Sequence, residues 1–341
     1  MSSSTTHEKQ TIDKIATQIK NGTIKKIVVI AGAGISTSGG YPDFRTPNTG
    51  IYAKIAKMKL LPYPEAIFSA HYFKHTPEPF FAFLRGVMQL TFRPTVTHAF
   101  IALLQRMGVL EMVFTQNIDG LERAAGIADE KLMAVHGQFG SQRCITCKTA
   151  WSTERFEEIV KSGRIPRCDD ADCNGVIKPD TVMFGEPLSP KFDQSAGILK
   201  IADLVLVIGT SLKVHPVAGL PSLAVPGVPR VLINRDPAGD LGSRPDDVLL
   251  LSDCDNVVRT LADSLGWRKQ LEDIWKEVGP QPGDENPVPE DAIGKEIDKF
   301  LDEQTEERQL VYQGHKIFLE RHLEHKMSRM PSDAEPCANG R

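Results

Sequence analysis

Ile27-Val28-Val29-Ile30-Ala31-Gly32-Ala33-Gly34-Ile35-Ser36-Thr37 is the stretch that decides the fold. Four β-branched residues in a row suit a strand buried on both faces, and the glycines at 32 and 34 stop it in a tight turn. Three more runs share that shape: Met112–Thr115, Leu204–Ile208 and Val231–Ile233. Each ends in a polar or glycine-bearing loop, respectively Gln116-Asn117, Gly209-Thr210-Ser211 and Asn234-Arg235-Asp236. Helix-like stretches separate them, including His98–Met107 and Lys191–Ala202, while Ile12, Ile15 and Ile19 mark a short amphipathic helix before the first strand. Strands alternating with helices predict an α/β fold with a Rossmann-like parallel sheet, its ligand loops at the strand C-terminal ends.

The glycine turn suits a phosphate. Glycines let the backbone approach a pyrophosphate, and the following helix N-terminus offers amide donors and a positive dipole. The third position of the dinucleotide fingerprint is Thr37 rather than glycine, and no acidic residue follows a second strand at the usual spacing. An ordinary NAD dehydrogenase is therefore disfavoured, while a nucleotide site survives. Asn234-Arg235-Asp236 is a candidate substitute for holding the adenosine ribose.

Two regions break the rhythm. Residues 49–97 are helical in pattern and rich in aromatics, among them Tyr63, Phe68, Tyr72, Phe73, Phe80, Phe81 and Phe83. Residues 141–178 hold Cys144-x2-Cys147 and Cys168-x4-Cys173, close to the spacing of a four-thiolate zinc ribbon. Four thiolates complete a tetrahedral zinc shell, so the metal's expected role is structural; the competing reading is four unrelated buried cysteines. Arg143, Lys148, Arg155, Lys161, Arg164 and Arg167 flank the cluster, but Asp169, Asp170 and Asp172 interleave with them, which disfavours a nucleic-acid groove.

At 341 residues the chain has length enough for one large or two modest domains, and 41% hydrophobic with 25% charged residues is ordinary for a globular protein. A net charge of -4 gives no whole-chain attraction to nucleic acid or an anionic membrane. No apolar run approaches the ~20 residues of a membrane span. The polar start, Met1 to Ala16, lacks the apolar core of a secretory signal. A reducing, cytoplasmic setting is expected, with the nucleus allowed, and there clustered cysteines favour metal over disulfides.

Several ordered segments together resemble the sirtuin family. They are Gly32-Ala33-Gly34-Ile35-Ser36, Pro42-Asp43-Phe44-Arg45, Thr115-Gln116-Asn117-Ile118-Asp119-Gly120-Leu121, His136-Gly137, the cysteine ribbon, Phe184-Gly185-Glu186, Gly209-Thr210-Ser211-Leu212 and Leu232-Ile233-Asn234. The similarity spans roughly residues 10–275. It implies a discontinuous Rossmann-like NAD-binding domain (8–48, 98–140 and 179–277) and a small helical and zinc-binding domain (49–97 and 141–178). It also implies the activity: an NAD-dependent protein-lysine deacetylase or deacylase that moves the acyl group to ADP-ribose, releasing nicotinamide and O-acetyl-ADP-ribose. Acylated-lysine proteins, histone, tubulin or others, are the implied partners, with no direct nucleic acid and no membrane.

The same resemblance assigns roles. His136 matches the general base, and an imidazole with a free pKa near ~6.5 can accept a hydroxyl proton at neutral pH. Asn117 and Asp119 match the residues that hold the nicotinamide end, with Ile118 between them; Gln116 would bond the nicotinamide ribose. Asp43, Phe44 and Arg45 fall in the cofactor loop, where Phe44 would exclude water and Arg45 would face phosphates. Gly32, Ala33, Gly34, Ile35, Ser36, Gly209, Thr210 and Ser211 would cradle the phosphates, with Asn234, Arg235 and Asp236 on the adenosine side. Val182, Phe184, Gly185 and Glu186 match the substrate strand and turn, where a peptide would add to an exposed edge. Met183 stands where many relatives carry an aromatic, and Phe81 and Leu84 replace the Tyr and Arg of the branch specialised for acidic acyl groups, so an uncharged acyl group is expected.

Other readings remain: mono-ADP-ribosyl transfer at the same site, a non-catalytic zinc-ribbon module, or a dehydrogenase. Residues 278–341 form an extension. Pro280–Pro289 reads as an acidic linker, 290–327 as a charged, solvated helix packing weakly on the body or else binding a partner, and the last dozen residues as disordered. Cys254 and Cys337 receive no role.

Overall fold

In the computed structural model, residues 3–279, 291–304, 311–317 and 320 are described. Their strands in chain order are β1 Ile27–Ala31, β2 Leu110–Thr115, β3 Leu132–Ala134, β4 Gly137–Cys144, β5 Ala150–Trp151, β6 Ile177–Thr181, β7 Leu204–Ile208, β8 Arg230–Asn234 and β9 Asp247–Leu251. Six of them form one sheet in the order β3-β2-β1-β7-β8-β9, and every pair in it is parallel. The α/β architecture with a Rossmann-like parallel sheet is therefore present.

β1 lies inside this sheet, with Val29 paired to Val113 on one side and Leu206 on the other. All five of its residues are buried, because each face meets a different layer. Ile27, Val29 and Ala31 join a core with Ile12, Ile15 and Ile19 and with the helices Val96–Arg106, Cys254–Leu265 and Arg268–Val278. Val28 and Ile30 join a second core with Phe114, Phe192, Leu199 and Leu220. The two-residue period of the strand divides its side chains between the layers, each buried Val or Ile contributing ~1.5–3 kcal/mol. Arg230, wholly buried on β8, ties the edge strand β9 in by ion pairing with Asp247 (2.6 Å).

β3 and β9 are absent from the sequence reading. β3 has only three residues, whereas β9 carries a four-residue apolar run, Val248–Leu251, and is the strand that the pattern could have shown. The expected helix Lys191–Ala202 is an α-helix over Pro190–Ala196 continued by a 3-10 turn over Gly197–Ile201.

A second, antiparallel sheet runs β5-β4-β6 and carries the cysteines. β4 and β6 pair from Gly137↔Thr181 to Cys144↔Ile177, so continuous strands run across the boundaries expected at 140 and 178. The Thr153–Lys161 helix packs Phe156 and Val160 into a third core with Ile51, Phe73, Phe81 and Phe83.

That third core also holds Ile293, Ile297 and Phe300 from the C-terminal helix Ala292–Asp302. Over 292–302 the expectation of a weakly packed, solvated helix is corrected: Ile293, Ile297 and Phe300 recur at helical spacing and are buried, with Leu301 partly so. It lies so close to the helix Glu78–Val87 that a Cβ on Gly86 would come 2.5 Å from Ile293 Cα. Arg85–Glu296 (3.1 Å) and Lys54–Asp291 (2.5 Å) flank the contact. The linker Pro280–Pro289, the last dozen residues and Cys337 lie outside the described residues. Among the described residues, no helix is long and apolar enough to cross a membrane.

Candidate active site and metal centre

Loops after β1, β2, β7 and β8 meet the aromatic layer of the third core across a cleft of about 570 Å³. Two of these loops are pressed together. A Cβ on Gly32 would come 2.6 Å from Thr210 Cβ, and one on Gly34 would come 2.7 Å from Gly209 Cα. Gly209 itself has φ +62, and a Cβ on it would come 2.5 Å from Ile35 N. The glycines thus serve the contact between two strand-end loops as well as leaving backbone open to a ligand.

His136 stands in the turn between β3 and β4, and that turn requires Gly137. Gly137 has φ +70, and a Cβ there would lie 1.9 Å from the Asp180 carbonyl oxygen. His136 Nδ1 is 3.0 Å from the Gln116 carbonyl oxygen. A carbonyl can only accept, so Nδ1 carries the hydrogen and Nε2 of the neutral ring keeps a lone pair. Burial lowers the ring's pKa below its ordinary 6.5, against the opposing pull of the Gln116 bond. The ring is neutral and basic at pH 7, and it lines the cleft.

Asn117 is buried, and its Nδ2 donates to the Gly32 carbonyl and Ser36 Oγ, both at 3.3 Å. Ser36 Oγ in turn donates to Asp119 Oδ2 (2.8 Å), and the Leu121 N–H donates to Asp119 Oδ1 (3.0 Å). Gln116 Nε2 donates to Thr210 Oγ1 (2.8 Å), joining the β2 and β7 loops.

Asp43 folds the next loop by accepting from the Arg45 and Thr46 backbone N–H groups (2.8 and 2.6 Å). Phe44 packs on Tyr52 and Phe68, at centroid distances of 5.7 and 5.9 Å. Arg45 stacks over Tyr52 (5.3 Å) and pairs with Glu65 (3.7 Å).

The 182–186 stretch, expected to take substrate, is less open than a free edge. The Phe184 N–H donates to the Phe68 carbonyl (2.8 Å) and its carbonyl accepts from the Ala70 N–H (3.0 Å). The Met183 N–H donates to Glu186 Oε2 (2.8 Å), its carbonyl accepts from the Glu186 N–H (2.9 Å), and the Val182 N–H donates to the His136 carbonyl (2.7 Å). The N–H groups of 182–184 and the carbonyls of 183 and 184 are already paired, because this segment ties the small sheet to the aromatic layer. The Phe184 side chain stays exposed at the cleft.

Of the residues singled out in sequence, Ala33, Gly34, Asp43, Phe44, Arg45, Gln116, Asn117, Ile118, His136, Val182, Phe184, Gly185 and Glu186 line this one cleft. So do Gly209, Thr210, Ser211, Asn234, Arg235 and Asp236. Gly32, Ile35, Ser36 and Asp119 are not on its wall; the last two act through the bonds just described. Asn234 Nδ2 donates to the Asp236 carbonyl (2.8 Å), shaping that loop, and Arg235 faces Asp253 (3.8 Å).

Sequence reasoning missed Thr37, Tyr52, Phe68, Phe80, Phe139, Lys213, His215 and Cys254 as lining residues. Position directly after β7 is a signal that could have found Lys213 and His215. The missed Lys178 is buried. Its Nζ donates to the Pro179 and Thr181 carbonyls and pairs with Glu186 (3.2 Å).

The four cysteine sulfurs lie within 4.8 Å of one another, with Cys144–Cys173 at 3.5 Å and Cys147–Cys168 at 3.7 Å. Thiolates ~2.3 Å from one tetrahedral zinc lie ~3.8 Å apart, whereas a disulfide needs ~2.05 Å. The set fits one zinc ion. The longer second spacing is absorbed by a turn in which the Cys173 N–H donates to the Asp170 carbonyl (3.0 Å). Four residues of β6, roughly 13 Å of strand, separate the partner of Cys144 from that of Gly137, and none of the four cysteines lines the cleft, so the metal's place is structural.

The chain matches the sequence model of the Sir2 family over residues 32–216. It is 44% identical over 333 residues to the NAD-dependent protein deacetylase hst2-2 of Emericella nidulans, covering 94% of this chain and 92% of that one. Against the NAD-dependent protein deacetylase hst2 of Schizosaccharomyces pombe it is 46% identical over 264 residues, 77% of this chain and 79% of the relative. Against the NAD-dependent protein deacetylase sirtuin-2 of Danio rerio it is 42% identical over 286 residues, 78% of this chain and 75% of the relative.

Proposed function

Since the chain belongs to the Sir2 family, we propose that it is an NAD-dependent protein-lysine deacetylase whose reaction takes place beside His136. The observation that carries this reading is the His136 ring. Its Nδ1 is fixed on the Gln116 carbonyl and its basic nitrogen is left for the cleft that the phosphate-binding turn also lines. NAD⁺ supplies an ADP-ribosyl group able to accept the acyl group as nicotinamide leaves.

The chain's own residues supply the rest. Ala33, Gly34, Thr210 and Ser211 offer backbone and hydroxyl donors to the pyrophosphate, and Asn234 with Arg235 and Asp236 bounds the adenosine end. Asn117, backed by Ser36 and Asp119, orients the nicotinamide carboxamide. Phe44, stacked with Tyr52 and Phe68, keeps water from the reacting carbon. His136 Nε2 accepts a proton from a ribose hydroxyl, a task that a neutral imidazole performs near pH 7. Val182, Phe184, Gly185 and Glu186 hold the acetylated chain at the cleft mouth. Acetylated proteins such as histone or tubulin are the proposed substrates, met in the cytoplasm or nucleus.

The test is nicotinamide release from NAD⁺ with acetylated and unacetylated peptide. Release that requires the acetyl group and matches lysine freed one for one is expected. Release indifferent to the acetyl group, or ADP-ribose left on protein, would overturn the reading.

A further inference from the structure

Behind Asn117 lies a second cluster of titratable groups, of which the proposed chemistry uses only Asp119. A ring nitrogen of His98, a carboxylate oxygen of Asp119 and one of Glu122 lie within 4.8 Å of one another. His98 and Glu122 are 0% and 1% exposed. The histidine's tautomer follows from its neighbours. The Thr95 backbone N–H donates to His98 Nδ1 (3.2 Å), and the Thr95 hydroxyl gives its only hydrogen to the Ile35 carbonyl (2.8 Å). Nδ1 must therefore accept, and the ring hydrogen sits on Nε2, which has no partner of its own.

Among the described residues, the two carboxyls face no free cation. Arg123, next to Glu122 on its helix, is held by Asp129 (2.5 Å). The remaining titratable groups around the pair are His98 and, near Asp119, the buried Tyr41. Two carboxylates within 4.8 Å of each other in a buried pocket repel, which favours a proton on one of them. Asp119 accepts from Ser36 and Leu121, as suits a carboxylate. Glu122 accepts from Thr115, whose hydroxyl accepts from the Asn117 N–H (3.0 Å).

We propose, resting on the function given above, that Glu122 and His98 are positioning residues for the nicotinamide end of the cleft. Glu122 carries the one proton of the carboxyl pair and His98, within 4.8 Å and with its hydrogen on Nε2, adds no charge, so the wall behind Asn117 bears a single negative charge. Burial first, then the charge of Asp119, raises the Glu122 carboxyl to about 7, and burial holds His98 down at about 4, hence neutral. Ionising Glu122 would place a second charge against Asp119 and disturb Asn117 through Thr115.

Glu122→Gln keeps the shape without the titration. A glutamate whose carboxyl is raised in the folded chain costs no stability below its unfolded value of 4.5, and the cost grows as pH rises toward about 7. The melting temperature of Glu122→Gln minus that of the unaltered chain should therefore climb over this window and level off above it. In the unaltered chain the nicotinamide concentration that halves turnover should rise roughly threefold or more between about pH 6 and about pH 8.5, and in Glu122→Gln it should stay level.

If the variant does not fold, the carboxyl C=O stretch of the unaltered chain, read by infrared difference over the same pH range, reports the buried proton directly. A flat melting difference, an infrared band absent at the lower pH, or unchanged nicotinamide dependence in Glu122→Gln would overturn the inference. So would a second metal equivalent per chain beyond zinc that Glu122→Gln loses. Melting and infrared measurements need no NAD⁺, so a chain that releases no nicotinamide refutes the activity without touching the proton assignment.

Discussion

β1 and β4 both deliver residues to the cleft, but different forces hold them in place. All five residues of β1 are buried, between two helical layers and two parallel neighbours. Of the eight residues of β4 only Gln142 and Cys144 are buried. Its sheet has three strands, one of them two residues long, too little apolar surface to stand alone. What β4 lacks in burial is supplied by the thiolates at its end and the aromatic core beside it. The parallel sheet should therefore survive perturbations that dissolve the small one.

Removing the metal is the sharpest way to separate them. Apparent zinc affinities in small thiolate sites are ~10–16 kcal/mol, more than this sheet can replace. Cys144→Ser, or chelation, should release zinc and abolish turnover. Hydrogen exchange should show lost protection over β4 and β6 with β1 and β7 still protected. Protected β4 amides in a zinc-free chain would break the comparison.

His136→Ala strikes the seam between the two sheets without loosening either. Turnover should fall by ~10²–10⁴ while NAD⁺ binding and melting temperature hold. Because burial lowers the His136 pKa below 6.5, the basic nitrogen survives to more acid pH. The acid limb of kcat/KM for the unaltered chain should lie below 6.5 and vanish in the residual activity of the variant.

Ile297→Ala probes the aromatic core instead. Deleting a wholly buried Ile side chain costs ~2–5 kcal/mol, and here it lies between the C-terminal helix and the helix Glu78–Val87. The denaturant midpoint should drop accordingly, with exchange rising first over 78–87 and 292–302. A uniform rise across β1 as well would mean that the two regions unfold as one.

The same contrast explains what could be read in advance. The parallel sheet was legible because burial on both faces writes continuous β-branched runs such as Ile27–Ile30, and the metal because thiolate spacing is a local signature. The C-terminal helix was misjudged because its polar face dominates composition, while the partner for Ile293, Ile297 and Phe300 lies some two hundred residues away in sequence. Glu122 was invisible for a related reason: its neighbours His98 and Asp119 come from another helix and a loop, and only the fold makes them a cluster. Lys178 likewise reads as a surface cation until three acceptors surround it.

The smallest effect is expected where the two regions share a single side chain. Glu186 accepts from the Met183 N–H and pairs with buried Lys178 at the end of β6. It thereby holds the 182–186 stretch against the small sheet while Phe184 bonds to Phe68 and Ala70 on the aromatic side. Glu186→Gln keeps an acceptor for Met183 but removes the charge that faces Lys178. Glu186 is partly exposed, so solvent screens much of the pairing and little stability should be lost. What should change is how firmly the stretch is held for substrate: KM for acetylated peptide rising about threefold, with KM for NAD⁺ unchanged. If KM for NAD⁺ rose in step, the stretch would belong to the cofactor's wall, and the proposed division between a sheet that holds the nucleotide and one that holds the peptide would fail at this point.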